Sequence, residues 1–95
     1  MAVLSDDEVG QALEELKGWE RVESSIVRDL RFPACADAVA FVVRLSFEAE
    51  AANHHPDLDL RYNRLHVGLS THSEGGVTSQ DLELARAIEA LAGRQ

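Results

Sequence analysis

Between residues 57 and 70 apolar and polar side chains alternate in two runs. Leu58, Leu60 and Tyr62 are interleaved with Asp57, Asp59 and Arg61, and Leu65, Val67 and Leu69 with Arg64, His66, Gly68 and Ser70. Successive side chains on a strand point to opposite faces, so the pattern predicts two half-buried strands, with a tight turn expected at Asn63-Arg64. A hairpin with one apolar face cannot stand alone in water. The rest of the chain must extend the sheet and cover that face.

The flanking segments are suited to this. Ser5 and Glu8 have capping-box spacing, and Leu4 and Val9 occupy the positions of a hydrophobic staple. Val9, Ala12, Leu13 and Leu16 recur at helical spacing and Gly18 stops the pattern, predicting a helix over 6–17. Two short strands are expected at Trp19–Glu23 and Ile26–Phe32, around Ser24-Ser25. Ile26, Leu30 and Phe32 share one face, with Arg28 as the exception, and Val27, Asp29 and Arg31 take the other. Trp19 and Tyr62 read as core anchors.

Residues 35–52 form the longest helical pattern. Ala38, Phe41, Val42, Leu45, Ala49 and Ala52 make one stripe, and Val39, Val43 and Phe47 widen it. A surface helix needs only one stripe. The surplus predicts a subunit interface, as in a homodimer or homotetramer built through helix two and the sheet edges. Thr78 caps a last helix whose apolar positions are Leu84, Ala85, Ile88 and Leu91, with Gly93 past its end. The expectation is one α+β domain over residues 1–95. Its order is αββαββα, a four-stranded antiparallel sheet with three helices packed on one face.

Composition narrows the function. The 95 residues carry a net charge of −8, which argues against nucleic acid or an anionic membrane surface as partner. The single Cys35, read as an inert small apolar residue, excludes an internal disulfide framework. The N-terminal residues lack a basic region before an apolar run, and the longest apolar run, 38–43, is too short to span a bilayer. A soluble, cytoplasmic protein with no membrane partner is expected.

Three histidines lie at two points, His54-His55 after helix two and His72 after strand four. If Tyr62 pairs with Leu65, His72 falls opposite His55; the alternative tight loop moves it to Asn53. Either way the imidazoles converge at the open end of the hairpin, lining one small cavity. Pro56 disfavours helix at His55, so His54 and His55 should point in different directions. Glu50, four residues before His54, is a carboxylate in a last helical turn, where it opposes the helix dipole and could accept an imidazole N–H. Asp81, third in the last helix, can reach the same place. Each position also has a plainer reading. Paired loop histidines are often solvated, Asp81 could serve only its helix start, and Glu50 could be a solvated helix residue. His66 reads as a surface residue and Gly75-Gly76 as a flexible turn.

The string Glu50-Ala-Ala-Asn53-His54-His55-Pro56, then Tyr62-Asn63, Ser70-Thr71-His72, Gly75-Gly76 and Asp81-Leu82, resembles the pterin-4a-carbinolamine dehydratases. The resemblance spans nearly the whole chain. It implies a hydro-lyase that dehydrates 4a-hydroxytetrahydropterin to quinonoid dihydropterin, recycling tetrahydrobiopterin for aromatic amino acid hydroxylases. It implies no metal and no cofactor, the pterin being the substrate, and a homo-oligomer. Carried over, the catalytic histidines are His54, His55 and His72, with Glu50 and Asp81 orienting them or binding substrate. Some members have Trp where this chain has Leu58, and Ser73 replaces a residue that is often acidic. Two imidazoles near an unperturbed pKa of about 6.5 suit the delivery of one proton and the removal of another. The alternatives are a protein-binding module using the apolar face of helix two, such as a dimerisation cofactor of a transcription factor or an assembly factor, and a zinc site on three histidines and a carboxylate.

Overall fold

Two antiparallel hairpins lie side by side, and three helices cover one face of the sheet they make. The computed structural model describes residues 2–93. Its elements are α1 (Asp6–Glu15), β1 (Trp19–Val22), β2 (Ser25–Arg31), α2 (Cys35–Ala52), β3 (Asp57–Arg61), β4 (Arg64–Leu69) and α3 (Ser79–Ala92). The strand order is β1-β2-β4-β3, antiparallel throughout. This is the αββαββα, α+β architecture that the periodicities predict, and α2 has the predicted bounds.

The central pair β2–β4 aligns Ile26 with Leu69, Leu30 with Leu65 and Asp29 with His66. Ile26, Leu30, Leu65, Val67 and Leu69 turn inward against Val9, Phe41, Leu45 and Ile88 from the helices, and all are buried. Burying a side chain of this size contributes about 1.5–3 kcal/mol. Phe32 and Phe41 meet tilted, centroids 5.2 Å apart.

Arg28, the polar exception on the inward face, has a specific partner. Its Nε donates to Glu89 Oε1 of α3 at 2.8 Å, and Trp19 Nε1 donates to the same oxygen at 2.6 Å. Gly18, at φ 90°, leaves room for the guanidinium, since a Cβ there would stand 2.6 Å from its Cζ. The carboxylate thus takes a guanidinium and an indole from the first hairpin. Trp19 is a buried core residue, as expected.

Both turns lie one residue earlier than predicted. Val22 pairs with Ser25 and Arg61 with Arg64, so the turns are Glu23-Ser24 and Tyr62-Asn63. Glu23 (φ 53°) and Tyr62 (φ 56°) take the left-handed conformation, which ends a strand. Asn63 is held from the other side: its Nδ2 donates to the Phe32 carbonyl and its carbonyl accepts from Phe32 N–H, both at 2.9 Å. Tyr62 is therefore 73% exposed at a turn and is not a core anchor. Leu60 pairs with Leu65, the alternative register considered above. Phe32 is buried but lies just past β2, and α1 ends at Glu15, short of the expected 17. Cys35 is exposed at the first position of α2.

Apolar side chains remain uncovered on α2 and on the edge strand β3, among others. Val39, Val43 and Phe47 stand exposed on α2, Phe47 at 71%. Leu58, on the helix-facing side of edge strand β3, is exposed as well. Among the described residues no helix is long and apolar enough to cross a membrane.

Candidate active site

The end of α2 sets the direction of two histidines. Asn53 adopts the left-handed conformation (φ 50°, ψ 43°), and His54 N–H returns to the Ala49 carbonyl at 3.0 Å. This is the reversal that commonly ends a helix. Pro56 disfavours helical backbone at His55, and β3 starts at Asp57. The chain turns so sharply that the neighbouring imidazoles part, as expected from the proline.

His54 goes inward. Its residue is 9% exposed, and Nε2 lies 2.5 Å from Oδ1 of Asp81, which is fully buried. A carboxylate oxygen accepts, so Nε2 carries the proton and the lone pair of a neutral ring sits on Nδ1. Asp81 is itself fixed by two further donors: Thr71 Oγ1 at 2.9 Å and the backbone N–H of Thr78 at 2.8 Å, both to Oδ2. The chain of donors continues outward. Thr78 and Thr71 hydroxyls are 2.7 Å apart, and Gln80 N–H donates to Thr78 Oγ1 at 3.3 Å. Because the Thr71 proton is committed to Asp81, Thr78 donates to Thr71. No buried side-chain nitrogen or oxygen among the described residues lacks a partner.

The capping box of α3 explains how Asp81 arrives. Thr78 caps the helix and Asp81, at its third position, closes the box through its second oxygen. The plain helix-start reading and the site reading are thus both true of one carboxylate. Glu50 reaches His55 rather than His54: Oε2 accepts from His55 Nε2 in a short contact on the surface, with both side chains exposed. His72 is the most open of the three, its side chain 75% exposed, with Nε2 3.7 Å from Asp57 Oδ2.

The predicted residues are joined by a continuous path. His54 touches Asp81, Asp81 touches Thr71, Thr71 precedes His72, and His72 faces Asp57, two residues after His55. Only His54 is enclosed, however, and His55 and His72 stand on open surface rather than in a small cavity of the single chain. Among the described residues no three His, Cys, Asp or Glu side chains converge closely enough to hold a metal ion. His66 lies on the outer sheet face beside Asp29, as its strand position predicts.

Sequence reasoning missed Thr71, Thr78 as a link in the donor chain, and Asp57. The signal was present for Thr71. It continues the inward parity of Leu65, Val67 and Leu69, and a hydroxyl at an inward position needs a partner.

The result is a small α+β domain in which His54 and His55, at the end of α2, each rest against a carboxylate. Comparison with known proteins places the chain in a family. The family model described as pterin 4 alpha carbinolamine dehydratase matches residues 2–91. A Mycobacterium sp. (strain KMS) protein, provisionally named pterin-4-alpha-carbinolamine dehydratase, is 48% identical over 99% of this chain and 100% of its own length. A Thermomicrobium roseum protein of the same provisional name is 46% identical over 97% and 99%. A solved structure described as a transcriptional coactivator/pterin dehydratase from Brucella melitensis superposes with a TM-score of 0.93 at 39% identity, covering 96% of this chain and 99% of that one. A pterin dehydratase-like RuBisCO assembly factor of the alpha-carboxysome shares the fold, with a TM-score of 0.66 at 18% identity over 79% and 87%. The chain belongs to the pterin-4-alpha-carbinolamine dehydratase family.

Proposed function

We propose that this chain dehydrates 4a-hydroxytetrahydropterin to quinonoid dihydropterin by histidine acid–base catalysis, as a hydro-lyase in tetrahydrobiopterin recycling. The observation that carries the reading is the buried His54–Asp81 pair, which orients the imidazole through Nε2. The reaction suits that equipment. The 4a-hydroxyl takes a proton and departs as water, while a ring nitrogen gives up a proton, so no electrons are transferred to the protein. Groups of this kind typically contribute about 10²–10⁴-fold.

In this reading His54 and His72 perform the two proton transfers, one as acid and one as base. His55 binds and positions the pterin. Asp81 and Glu50 orient His54 and His55 or hydrogen-bond the amide-like edge of the ring. The exposure of His55 and His72 fits a flat substrate laid over an open surface. Stopped-flow dehydration by the wild type, His54→Ala and His72→Ala is the test, and three equal rates would overturn the assignment.

A second reading rests on α2. The exposed Val39, Val43 and Phe47 suit association with another protein, and the similar Brucella melitensis structure carries the coactivator description in its name. We favour self-association of this face and the sheet edges into a homodimer or homotetramer. Light scattering that gives a stable monomer of 10.4 kDa would leave the face to a different partner.

A further inference from the structure

The open face of the sheet carries a charge pattern that the proposed dehydration does not use. Arg31, Arg64 and Arg61 stand directly across from one another on β2, β4 and β3. The next row on the same face is Asp29, His66 and Asp59. Both rows line a cavity of about 530 Å³, a volume within the range of small-molecule sites. The cavity lies at the β3–β4 turn, at the end of the strands away from Asp57 and His72.

Like charges placed directly opposite on neighbouring strands are destabilising. Here three of the nine cations of a chain of net charge −8 are set in one row. Arg61 Nε has Asp59 Oδ1 at 3.3 Å, and Asp29 is engaged by His66 Nδ1 at 2.7 Å. Arg31 and Arg64 have no ion pair among the described residues. Neighbouring strands are about 4.8 Å apart, so the guanidiniums span roughly 10 Å, while the acidic row lies about 7 Å further along the strands. Guanidinium forks match phosphate oxygens, and carboxylates accept from hydroxyl or amino groups.

We infer that this face is a second binding site, for an organic diphosphate. Its phosphoryl oxygens lie along Arg31, Arg64 and Arg61, and its hydroxyl or amino donors reach Asp29 and Asp59. The site is independent of the His54 pair, being on the other face of the sheet.

Titration of the 15N-labelled protein with ADP tests it. Saturable amide shifts are expected within residues 27–31, 57–61 and 64–68. Inorganic pyrophosphate should bind the same amides about tenfold more weakly for want of the donors, a difference of about 1.4 kcal/mol. The double variant Arg31→Gln, Arg64→Gln should weaken ADP at least about tenfold, and Arg86→Gln, on exposed α3 surface, should leave it unchanged. Removing two opposed like charges should leave the melting temperature equal or higher, which separates lost binding from lost folding. Absence of saturable shifts, equal affinity of the double variant, pyrophosphate binding as tightly as ADP, or shifts confined to the His54 and His72 end would each overturn the inference.

Discussion

Asp81 Oδ1 and His54 Nε2 are 2.5 Å apart across 27 residues of sequence, and the carboxylate that makes this contact is also the third residue of α3. One oxygen orients an imidazole. The other receives the hydroxyl of Thr71 and the N–H of Thr78.

Asp81→Asn retains the shape but replaces one acceptor oxygen with a donor amide, which cannot satisfy Nε2–H and the two Oδ2 donors together. Dehydration should fall by about 10²–10⁴-fold while the circular dichroism spectrum is kept. A variant with wild-type rate would remove Asp81 from the proton-transfer machinery.

Thr71→Val keeps the volume and deletes the hydroxyl. Asp81 loses one of three donors and Thr78 loses its acceptor, so denaturant unfolding should show a cost of about 1–3 kcal/mol. The loss of rate should be smaller than for Asp81→Asn, because His54 keeps its own contact. A rate loss as large as that of Asp81→Asn would mean that Thr71 acts on the substrate directly.

Leu45 and Phe47 are two residues apart on α2 and face opposite environments, one fully buried and one mostly exposed. Leu45→Ala should destabilise by about 2–5 kcal/mol through lost burial and a cavity. Phe47→Ala should change the stability of the isolated chain by less than about 0.5 kcal/mol. A large cost for Phe47→Ala that grows with protein concentration would place the ring in a subunit contact.

The Ser5 backbone N–H, which donates to Glu8 Oε1, and then the Ser5 side chain hold the Glu8 carboxyl below its ordinary value of 4.5. A lowered folded-state value means that the cap stabilises above the ordinary carboxylate value and is lost as pH falls through the lower one. The difference in melting temperature between wild type and Glu8→Gln should therefore shrink on acidification through and below that range. A constant difference down to strong acid would mean that charge has no part in the cap.

Much of this molecule can be read from residue order. Period-two and period-3.6 patterns gave every element, because the sheet is apolar on one face and each helix carries a stripe for it. Turn positions were off by one, since nothing in the composition of Glu23 or Tyr62 announces a left-handed backbone. The site was partly legible. Asp81 stands out as the third residue of the last helix, but its bond to His54 depends on how α3 packs beside the end of α2. Which histidine Glu50 meets is not legible from spacing, because the left-handed Asn53 reverses the chain between Glu50 and the two rings.

The central pairing has a kinetic consequence. Each hairpin can close through its own two-residue turn in about 1–10 μs. Strand β2 meets β4 only after the chain has passed through α2 and β3, and such distant contacts form slowly. Everything from Glu50 to Asp81 belongs to the second hairpin and its flanks. The hydrogen bond between His54 and Asp81 spans this second hairpin, so it can close only once α3 has docked beside the end of α2.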